Sequence, residues 1–327
     1  MPDVTILTEP EPTGLTLVHE HGRSLLIRAG TQEILRYVYA PWDPAFESPR
    51  PYFHPIRTLG GRTVSEYRPH DHVWHKGLAW SLPNMGTENF WGGPTYNRGR
   101  GYEQLENNGT MVHTGFESIT VTGERISVVE NLQWRTQAGE LWVEEQRSFT
   151  VELSAAEHQA WSLTYSTSFV NVSGTVIAIG SPTTQGRENA GYGGLFWRGP
   201  RSFSGGQVYA PGVTGGDELM GIRAPWMAFS GKHDGDGGAS TLVFVDSPGN
   251  TYAGGHENTE WFVRTGIFAV ISASPFFSQE TDFEPNQTLA YQYGLLVADG
   301  DRGLDGAQEL AQAGRQLLGE AVGAGIS

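Results

Sequence analysis

Short stretches in which apolar and polar residues alternate recur along most of this chain. Examples are GLTLVHEHGRSLLIRAG (residues 14–30), GTMVHTGFESITVTGERISVVENLQWRT (109–136), LWVEEQRSFTVEL (141–153) and QTLAYQYGLLVADG (287–300). Successive side chains of a strand point to opposite faces, so this period of two predicts half-buried antiparallel strands. The 44 glycines and 18 prolines are scattered throughout the chain and favour tight turns. The chain is therefore predicted to be all-β, a large antiparallel β-sandwich with long loops.

The C-terminal segment departs from this pattern, because its apolar residues recur at helical spacing. They are Leu304, Ala307, Leu310, Ala311, Leu317, Leu318 and Ala321, with Gly314 at the intervening position of the same stripe. We predict a helix over residues 304–325 that packs on the outside of the sandwich. Neither a low-complexity linker nor a short repeat divides the sequence, so residues 1–327 are predicted to form a single domain.

Charge and cysteine content exclude several classes of function. The 21 basic and 36 acidic residues give a formal charge of −15, which repels phosphate backbones and anionic lipid, so neither nucleic acid nor a membrane is an expected partner. The chain has no cysteine, which excludes disulfides, thiolate metal sites and a cysteine nucleophile. It has neither an N-terminal signal pattern nor an apolar run long enough for a membrane span, and we expect a cytoplasmic protein.

Two long stretches, residues 41–108 and 181–226, lack alternation and are rich in glycine, proline, tryptophan and polar residues. Loops of this length are usually functional or disordered, and their aromatic content argues against disorder. Aromatic rings combined with Arg, Asn, Glu and His suit a sugar, whose C–H face stacks on a ring while its hydroxyls need polar partners. The alternative is that these rings only fill space beneath the loops.

A cluster of histidines lies in EYRPHDHVWHKGL (residues 66–78), which holds His70, Asp71, His72 and His75. Residues of this kind form an acid/base set, because histidine titrates near neutral pH and a carboxylate can fix its tautomer. The same side chains suit a metal ion, with His70, His72 and His75 as ligands of Zn, Mn or Fe. In a third interpretation they only tie a loop together. The spacing alone leaves the three alternatives open.

Further candidates for contacting a substrate lie in or beside the long loops and in one distant loop. Carboxylates in Gly- and Asn-rich segments can act as bases or hydroxyl acceptors, or only cap turns, and guanidinium groups can hold a carbonyl or a pair of hydroxyls. A histidine in GGHENTEWFVR can bring a further imidazole to the site, or be a solvated loop residue. The candidates are Arg57, Glu88, Trp91, Glu188, Arg198, Trp226, His256 and Arg264.

Several segments together carry a family resemblance: RPYFHPIRTLGG, RPHDHVWHKGLAW, ENFWGG, GYGGLFWR, APWMAFSG, SPFF and YQYGLLVADG. Over most of its length the chain resembles the PmoA-like domain family of bacterial proteins of largely unassigned function. The resemblance implies a sugar-catabolic protein with the galactose-mutarotase-like supersandwich. The family name is borrowed from methane oxygenase, but a membrane oxygenase needs apolar spans that this chain lacks, so methane oxidation is not expected.

The order of PYFHPIRTLGG and NMGTENFWGG also resembles that of aldose epimerases, in which a Gly-Arg strand precedes an Asn-rich LHGG turn. Two departures matter. The epimerase histidine before the two glycines is Trp91 here, and the late strand FAVISASPFF has no carboxylate to act as the epimerase base. Acid/base work is therefore expected of the histidine cluster instead.

We expect an enzyme that acts on a sugar or keto-sugar derivative by elimination, hydration, isomerisation or glycoside cleavage, as a lyase, hydrolase or isomerase. His72 or His75 is the expected base and Asp71 the orienting carboxylate, with Arg198 or Arg264 as a clamp. The alternatives are an aldose epimerase with relocated acid/base residues and a non-catalytic carbohydrate-binding protein. The expected partners are a small carbohydrate and, through exposed sheet edges, a second copy of the chain. The cofactor is left open, with a divalent metal as the candidate.

Overall fold

The computed structural model of the protein describes residues 14–153, 159–235 and 237–323. The α-helix in these ranges is α1 (Gly303–Gly323), and short 3-10 turns lie at Ala45–Glu47, Arg201–Phe203, Asp217–Leu219 and Ala253–Gly255. The strands are β1 (Leu15–Glu20), β2 (Ser24–Ala29), β3 (Gln32–Val38), β4 (Tyr52–Ile56), β5 (Leu78–Ser81), β6 (Asn84–Met85), β7 (Thr95–Asn97), β8 (Gly101–Glu103), β9 (Thr110–Val121), β10 (Arg125–Arg135), β11 (Leu141–Glu152), β12 (Ala160–Asn171), β13 (Ile177–Gly180), β14 (Gly194–Arg198), β15 (Gln207–Ala210), β16 (Val213–Gly215), β17 (Trp226–Lys232), β18 (Ala239–Asp246), β19 (Glu260–Arg264), β20 (Val270–Ser274), β21 (Thr281–Phe283) and β22 (Thr288–Asp299).

Two large antiparallel sheets dominate the described part of the chain. The first has eight strands in the order β1-β2-β3-β4-β5-β14-β20-β19, and the second has nine in the order β16-β15-β17-β18-β22-β12-β11-β10-β9. Two small sheets, β21-β13-β6 and β7-β8, lie in the long loops. The predicted all-β fold, a large antiparallel β-sandwich with long loops and a C-terminal helix, is confirmed.

The alternation of the sequence builds the core between these sheets. In β10 the buried residues Ile126, Val128, Leu132 and Trp134 alternate with exposed or half-buried ones, and β11 shows the same pattern. Their inward side chains share one apolar cluster with those of the eight-stranded sheet, such as Trp80. Full burial of one such side chain contributes about 1.5–3 kcal/mol, so these alternating faces supply much of the stability.

Polar side chains also occupy some inward positions, where they pair with one another. Arg147 Nε lies 2.8 Å from Glu145 Oε1, and the indole Nε1 of Trp134 donates to Glu145 Oε2 at 2.7 Å. The Tyr37 hydroxyl of β3 donates to the buried carboxylate of Glu130 on β10. Because β3 and β10 belong to different sheets, this hydrogen bond fixes one sheet against the other.

Helix α1 covers part of the outer face of the nine-stranded sheet. Its buried Leu310 and Leu318 share a cluster with Trp226 and Leu296. Gly314 permits the close approach, because a Cβ there would lie only 2.6 Å from a Leu296 methyl carbon. The helix agrees with the prediction for residues 304–325, of which 324 and 325 lie outside the described residues. Among the described residues, no helix is both long and apolar enough to cross a membrane.

Strand β14 sends side chains to both faces of the eight-stranded sheet. Leu195 and Trp197 belong to the core between the sheets, whereas Phe196 packs in a separate apolar cluster on the outer face. Since side chains alternate along a strand, Arg198 shares the outer face with Phe196. This outer face, covered by the long loops, carries the principal pocket.

Candidate functional site

A pocket of about 570 Å³ lies on the outer face of the eight-stranded sheet. Two histidines and a concentration of aromatic rings form its walls, and charged side chains lie among the rings. It is lined by His72, Trp74, His75, Trp91, Gly92, Pro94, Tyr102, Arg187, Asn189, Tyr192, Phe196, Asp217, Phe262, Arg264, Gly266, Ile267 and Phe268. The volume falls within the range of small-molecule sites, and the mixture of rings and polar groups is typical of them.

The histidines lie in the loop between β4 and β5, which strand β14 holds at both ends. The Glu66 N–H donates to the Arg198 carbonyl oxygen at 2.9 Å, and the Arg198 N–H donates to the Gly77 carbonyl oxygen at 2.7 Å. Between these points a tight turn, in which the His75 N–H donates to the His72 carbonyl at 2.9 Å, brings the two imidazoles together. Their rings stack with centroids 4.7 Å apart and planes inclined by 22°.

His75 is buried, at 4% exposure, and its hydrogen bond fixes the position of its proton. Its Nδ1 lies 3.1 Å from Arg198 Nη1. A guanidinium only donates, so Nδ1 must accept and the proton of the neutral ring lies on Nε2. Burial first, and then the charges of His72 and Arg198, lower the pKa of His75 well below its ordinary value. The neutral ring is therefore a hydrogen-bond donor through Nε2.

His72 has the opposite arrangement. Its Nδ1 lies 3.0 Å from Asp71 Oδ2. An ionised carboxylate only accepts, so Nδ1 carries the proton and Nε2 of the neutral ring keeps its lone pair. A histidine oriented by a carboxylate in this way is the usual form of a general base. The two stacked rings thus offer a base and a donor side by side.

Asp71 lies between His72 and two guanidinium groups. Arg201 Nη2 lies 2.5 Å from its Oδ1, and Arg198 Nη2 lies 3.3 Å from its Oδ2. Partial burial opposes ionisation of Asp71, but the hydrogen bond from His72 and the charge of Arg198 outweigh it and lower the pKa of this carboxyl group. The Arg198 guanidinium also stacks on Phe268, 4.1 Å from the ring centroid. Arg198 therefore positions both His75 and Asp71.

Arg50 holds the loops that carry two of the pocket-lining tryptophans. Its guanidinium is buried and donates to main-chain carbonyl oxygens of Glu47 (3.1 Å), Ser48 (2.9 Å), Trp91 (2.9 Å) and Trp74 (2.7 Å). Three separate loop segments are thereby joined at one side chain. The rings of Trp74 and Trp91 depend on this arrangement for their positions.

Buried ion pairs fix the histidine loop from the side away from the pocket. The Lys76 ammonium contacts Glu47 and lies 2.8 Å from Asp43 Oδ1, and all three side chains are nearly inaccessible to solvent. Arg68 Nη2 adds a contact of 2.6 Å to Glu47 Oε1. Breaking a buried pair by removing one partner typically costs about 3–5 kcal/mol, so this network strongly favours a single loop conformation.

The wall facing the histidines combines rings with charges. The hydroxyls of Tyr102 and Tyr192 lie 2.8 Å apart, and Arg187 donates to the Tyr102 hydroxyl. Arg264 Nη2 donates to the Asn189 carbonyl oxygen at 2.9 Å. These groups supply both a stacking surface and hydrogen-bond donors to a bound molecule.

The structure brings six of the predicted site residues together. His72, His75, Trp91 and Arg264 line the pocket. Asp71 and Arg198 lie directly behind the two histidines, each in hydrogen-bond contact with one of them. Among the other predictions, Glu188 is exposed next to the pocket-lining residues Arg187 and Asn189.

Five other predicted residues lie elsewhere. His70 is exposed and its Nδ1 accepts from Arg201 at 3.0 Å, outside the pocket lining. Arg57 donates to the Thr63 hydroxyl at 2.5 Å, and Glu88 accepts from the Gln137 N–H at 2.8 Å, so both have local structural partners. The remaining two are Trp226, which is buried beneath helix α1, and His256, which lines a different cavity.

The donor geometry of the histidine cluster does not suit a metal ion. Within residues 14–153, 159–235 and 237–323, no group of three or more His, Asp or Glu side chains is arranged to hold one. Nδ1 of His70 and Nδ1 of His75 each face a guanidinium, whose charge repels a cation. This geometry disfavours the predicted ligand set His70, His72 and His75, and the acid/base role of the cluster stays a prediction.

Sequence reasoning missed several residues of this pocket. Tyr102, Tyr192 and Asp217 come from different loops, and no local pattern connects them with the histidines. Arg187 was not missed in the same way, because it lies in a loop that the sequence marks as aromatic and polar and is one of the arginines there that can hold a carbonyl or a pair of hydroxyls; the fold places it in the pocket lining. The role of Arg50 has no local signature, because its partners are peptide carbonyls.

A comparison with protein families assigns the chain to one of them. Residues 24–312 match the model of a family described as "Family of unknown function (DUF6807)". The chain belongs to this family. A comparison of this DUF6807 protein with curated proteins finds no match.

Among solved structures, the DUF6807 chain is similar to several carbohydrate enzymes at very low sequence identity. The α-galactosidase from Lactobacillus brevis is 9% identical with a TM-score of 0.42, over 88% of this chain and 40% of that one. The galactose 1-epimerase from Lactobacillus acidophilus NCFM is 8% identical with a TM-score of 0.39, over 89% of this chain and 100% of that one. The heparan sulfate lyase HepC from Pedobacter heparinus is 8% identical with a TM-score of 0.37, over 89% and 36%. This chain spans about two fifths of the α-galactosidases that it matches.

Proposed function

We propose that this protein is a carbohydrate-active enzyme that binds a sugar or keto-sugar derivative in the aromatic pocket and moves a proton with His72 and His75. One observation carries the proposal. The two imidazoles stack on the pocket wall, and their partners leave a lone pair on one Nε2 and a proton on the other. A base and a donor in contact are the minimum equipment of general acid/base catalysis.

The walls suit the proposed substrate. Trp74, Trp91, Tyr102 and Tyr192 line the pocket and offer ring faces to the C–H surface of a sugar. Hydroxyl groups of the substrate find partners among Asn189, the tyrosine hydroxyls and Arg264. A bound sugar that covers the histidine pair among these rings shields it from bulk water, which strengthens each polar contact with the substrate.

The chemical step uses the acidity of a C–H bond next to a carbonyl group. The Nε2 lone pair of His72 takes the proton, the C–H electron pair moves into the carbonyl, and the resulting enolate oxygen accepts a hydrogen bond from His75 Nε2–H. Asp71 stabilises the imidazolium that forms on His72. Arg198, which donates to Nδ1 of His75, keeps the His75 proton on Nε2.

The fate of the enolate decides the reaction class. Return of the proton to the opposite face gives epimerisation at the carbon next to the carbonyl. In the aldose-epimerase alternative the two histidines instead move the protons that open and close the hemiacetal ring, and no enolate forms. Departure of a neighbouring oxygen gives elimination, with hydration as its reverse, and glycoside cleavage results when that oxygen belongs to a glycosidic bond. Lyase, isomerase and hydrolase activity thus share one first step and the same two histidines.

The PmoA-like relationship, the cytoplasmic location, the single domain and a homo-oligomeric state remain predictions. Their tests are independent of the site. Size-exclusion chromatography with light scattering decides the oligomeric state, and localisation of the tagged full-length protein decides the compartment.

The first step can be tested directly by deuterium exchange. Methyl 3-keto-glucopyranoside and a panel of related keto-sugars are incubated with the protein in D₂O, and loss of the C–H signal next to the carbonyl is followed by proton NMR. We expect His72→Gln to slow this exchange by about 10²–10⁴-fold, because the positioned base is lost. His75→Gln is expected to slow it by about 10²-fold, because one oxyanion donor is misplaced.

His21→Asn is the matched control, since it removes an exposed histidine that lies outside the pocket lining. It should leave the exchange rate unchanged, and thermal denaturation of all variants establishes that they fold. Sugar binding without exchange in the wild type would identify the alternative, a carbohydrate-binding protein without catalysis. Absence of both binding and exchange over the whole panel would reject the proposal.

A further inference from the structure

Within the residues that the structure describes, the guanidinium of Arg187 lines the pocket without an acidic partner. Its Nη1 donates to the Tyr102 hydroxyl, and its Cζ lies 4.9 Å from the centroid of the same ring. In the described part of the chain, no carboxylate lies within ion-pair distance of it. The ring and hydroxyl fix the orientation of Arg187, but they do not neutralise its charge.

Arg264, on the same wall, has the only carboxylate among the pocket-lining residues of the described chain as its neighbour. Its Nη1 lies 3.6 Å from Asp217 Oδ2. Asp217 Oδ1 is already engaged, since it accepts from the Thr265 N–H at 2.6 Å and from the Thr265 hydroxyl at 2.9 Å. Asp217 thus interacts with Arg264 and Thr265, and within the described residues no carboxylate pairs with Arg187.

The side of the pocket behind the histidines has the same imbalance. Two guanidinium groups, those of Arg198 and Arg201, share the single carboxylate of Asp71. His75 adds no negative charge, because its ring is neutral. Among the pocket-lining side chains of the described residues, two guanidinium groups thus stand against one carboxylate, in a chain whose formal charge is −15.

We propose that the pocket selects an anionic sugar, one that carries a carboxylate or a phosphate ester, and that Arg187 is the group that binds the anion. Arg264 also lines the pocket and offers a second guanidinium. This inference rests on the proposed function, and it adds the substrate class. A guanidinium presents a planar fork of donors that matches the oxygens of either anion.

The charge balance explains why such an arrangement gives selectivity. An acidic protein repels anions over a distance of about a Debye length, so only a charge-assisted contact inside the site can retain one. Arg187 is half-buried beside an aromatic ring, so an anion that binds it replaces water at its remaining N–H groups with charge-assisted hydrogen bonds. A neutral sugar offers only hydroxyl oxygens to the same groups, and these form weaker hydrogen bonds.

Calorimetric titration with matched ligands tests the inference. The probes are methyl β-D-glucopyranoside, methyl β-D-glucuronide and glucose 6-phosphate, with the corresponding galactose series. We expect the wild type to bind at least one charged member about tenfold more tightly than the neutral one. Comparison of the glucuronide with the phosphate shows which anion the site takes.

Variants then locate the preference. Arg187→Gln should abolish the roughly tenfold advantage of the charged sugar, so that the charged and the neutral sugar bind with equal affinity. Arg187→Lys, which keeps the charge but not the fork, should restore part of the advantage. Arg98→Gln is the matched control, because Arg98 donates to the Thr184 carbonyl in the adjoining loop and does not line the pocket. It removes the same net charge and should leave the preference intact.

The outcomes separate this inference from the proposal on which it rests. Equal affinity for neutral and charged sugars, or an equal loss for both in Arg187→Gln, overturns the anion preference and leaves the deuterium-exchange result standing. An equal effect of Arg98→Gln would also overturn it, by showing that net charge and not Arg187 is responsible. Absence of binding to every sugar, together with absence of exchange, rejects the carbohydrate site and this inference with it.

Discussion

His72 and His75 differ in protonation pattern although they are close in sequence and stacked in space. The difference comes from the group behind each ring: a carboxylate behind His72 and a guanidinium behind His75. The sequence predicted that these histidines belong together with Asp71. It did not predict their tautomers, because the partner that decides the second one, Arg198, lies on a distant strand.

His54 provides a test of the electrostatics at single-residue level. It is half-buried in β4, with Nδ1 2.9 Å from the Ser65 hydroxyl, and burial followed by the charge of Arg57 lowers its pKa from 6.5 to about 4. Between pH 6.5 and about pH 4, the imidazole of His54 binds a proton in the unfolded chain but stays neutral in the folded protein. The stability that the protein gains from keeping His54 neutral is therefore fully present above pH 6.5 and is lost as the pH falls towards 4.

We expect His54→Asn, whose side chain does not protonate, to lose less unfolding free energy than the wild type between about pH 7 and about pH 4.5. Asparagine retains a polar atom near the position of Nδ1, which limits the loss of the Ser65 contact. Urea denaturation at the two pH values measures the difference. Parallel losses in the two proteins would show that His54 protonates as readily in the folded state as in the unfolded one.

The turn that ends ENFWGG shows how a local element controls the pocket. Gly92 and Gly93 have φ angles of +100° and +68°, in the region that favours glycine. A Cβ on Gly93 would lie 2.8 Å from the ring of Trp74, which lines the pocket and packs edge-on against His72 at 5.2 Å. The two glycines thus allow both the turn and the close packing of that ring.

Gly93→Ala is therefore expected to lower stability by about 1–3 kcal/mol and to weaken sugar binding through displacement of Trp74. Gly99→Ala is the matched control, because Gly99 has a similar φ of +78° and a Cβ added to it would have no neighbour within 4 Å. It should carry only the backbone cost, about 1 kcal/mol, and leave binding intact. Thermal denaturation and calorimetric titration measure both effects, and equal binding losses would assign them to strain alone.

Regular elements were predictable from sequence to the extent that they are periodic. The long strands β9 to β12 and β22 show the period of two. Helix α1 shows helical spacing, and Gly314 interrupts its apolar stripe because the close packing against Leu296 leaves no room for a side chain there. The short strands β6 to β8 carry no period. They form because tertiary contacts order residues 41–108, and such contacts cannot be read from a local window.

At the level of the whole molecule, helix α1 and the nine-stranded sheet share a core through residues such as Leu310, at 2% exposure. We expect Leu310→Ala to lower the unfolding free energy by about 2–4 kcal/mol through loss of burial and creation of a cavity. The exposed Gln312→Ala should change it by less than about 0.5 kcal/mol. Chemical denaturation followed by fluorescence and circular dichroism should show one transition, whereas separate transitions would mean that the helix unfolds independently.

The arrangement of the sheets lay beyond sequence reasoning. Strand β14 pairs with β5 on one side and β20 on the other, although these three are far apart in the chain. The pocket walls come from loops that this order brings together, so four of the lining residues were predicted and most were not. Trp226 illustrates the converse, since its aromatic loop context suggested a substrate contact and the fold gives it a place beneath α1.

Arg50 binds the loops around the pocket through main-chain carbonyl groups alone. It therefore places no demand on the side chains at the positions it holds, including Trp74 and Trp91. Exchange of either ring alters the surface that the pocket presents to a ligand without altering the anchor that sets the path of the backbone. A site built in this way can acquire new ligand preferences during evolution by single substitutions, while the framework that supports it is inherited unchanged.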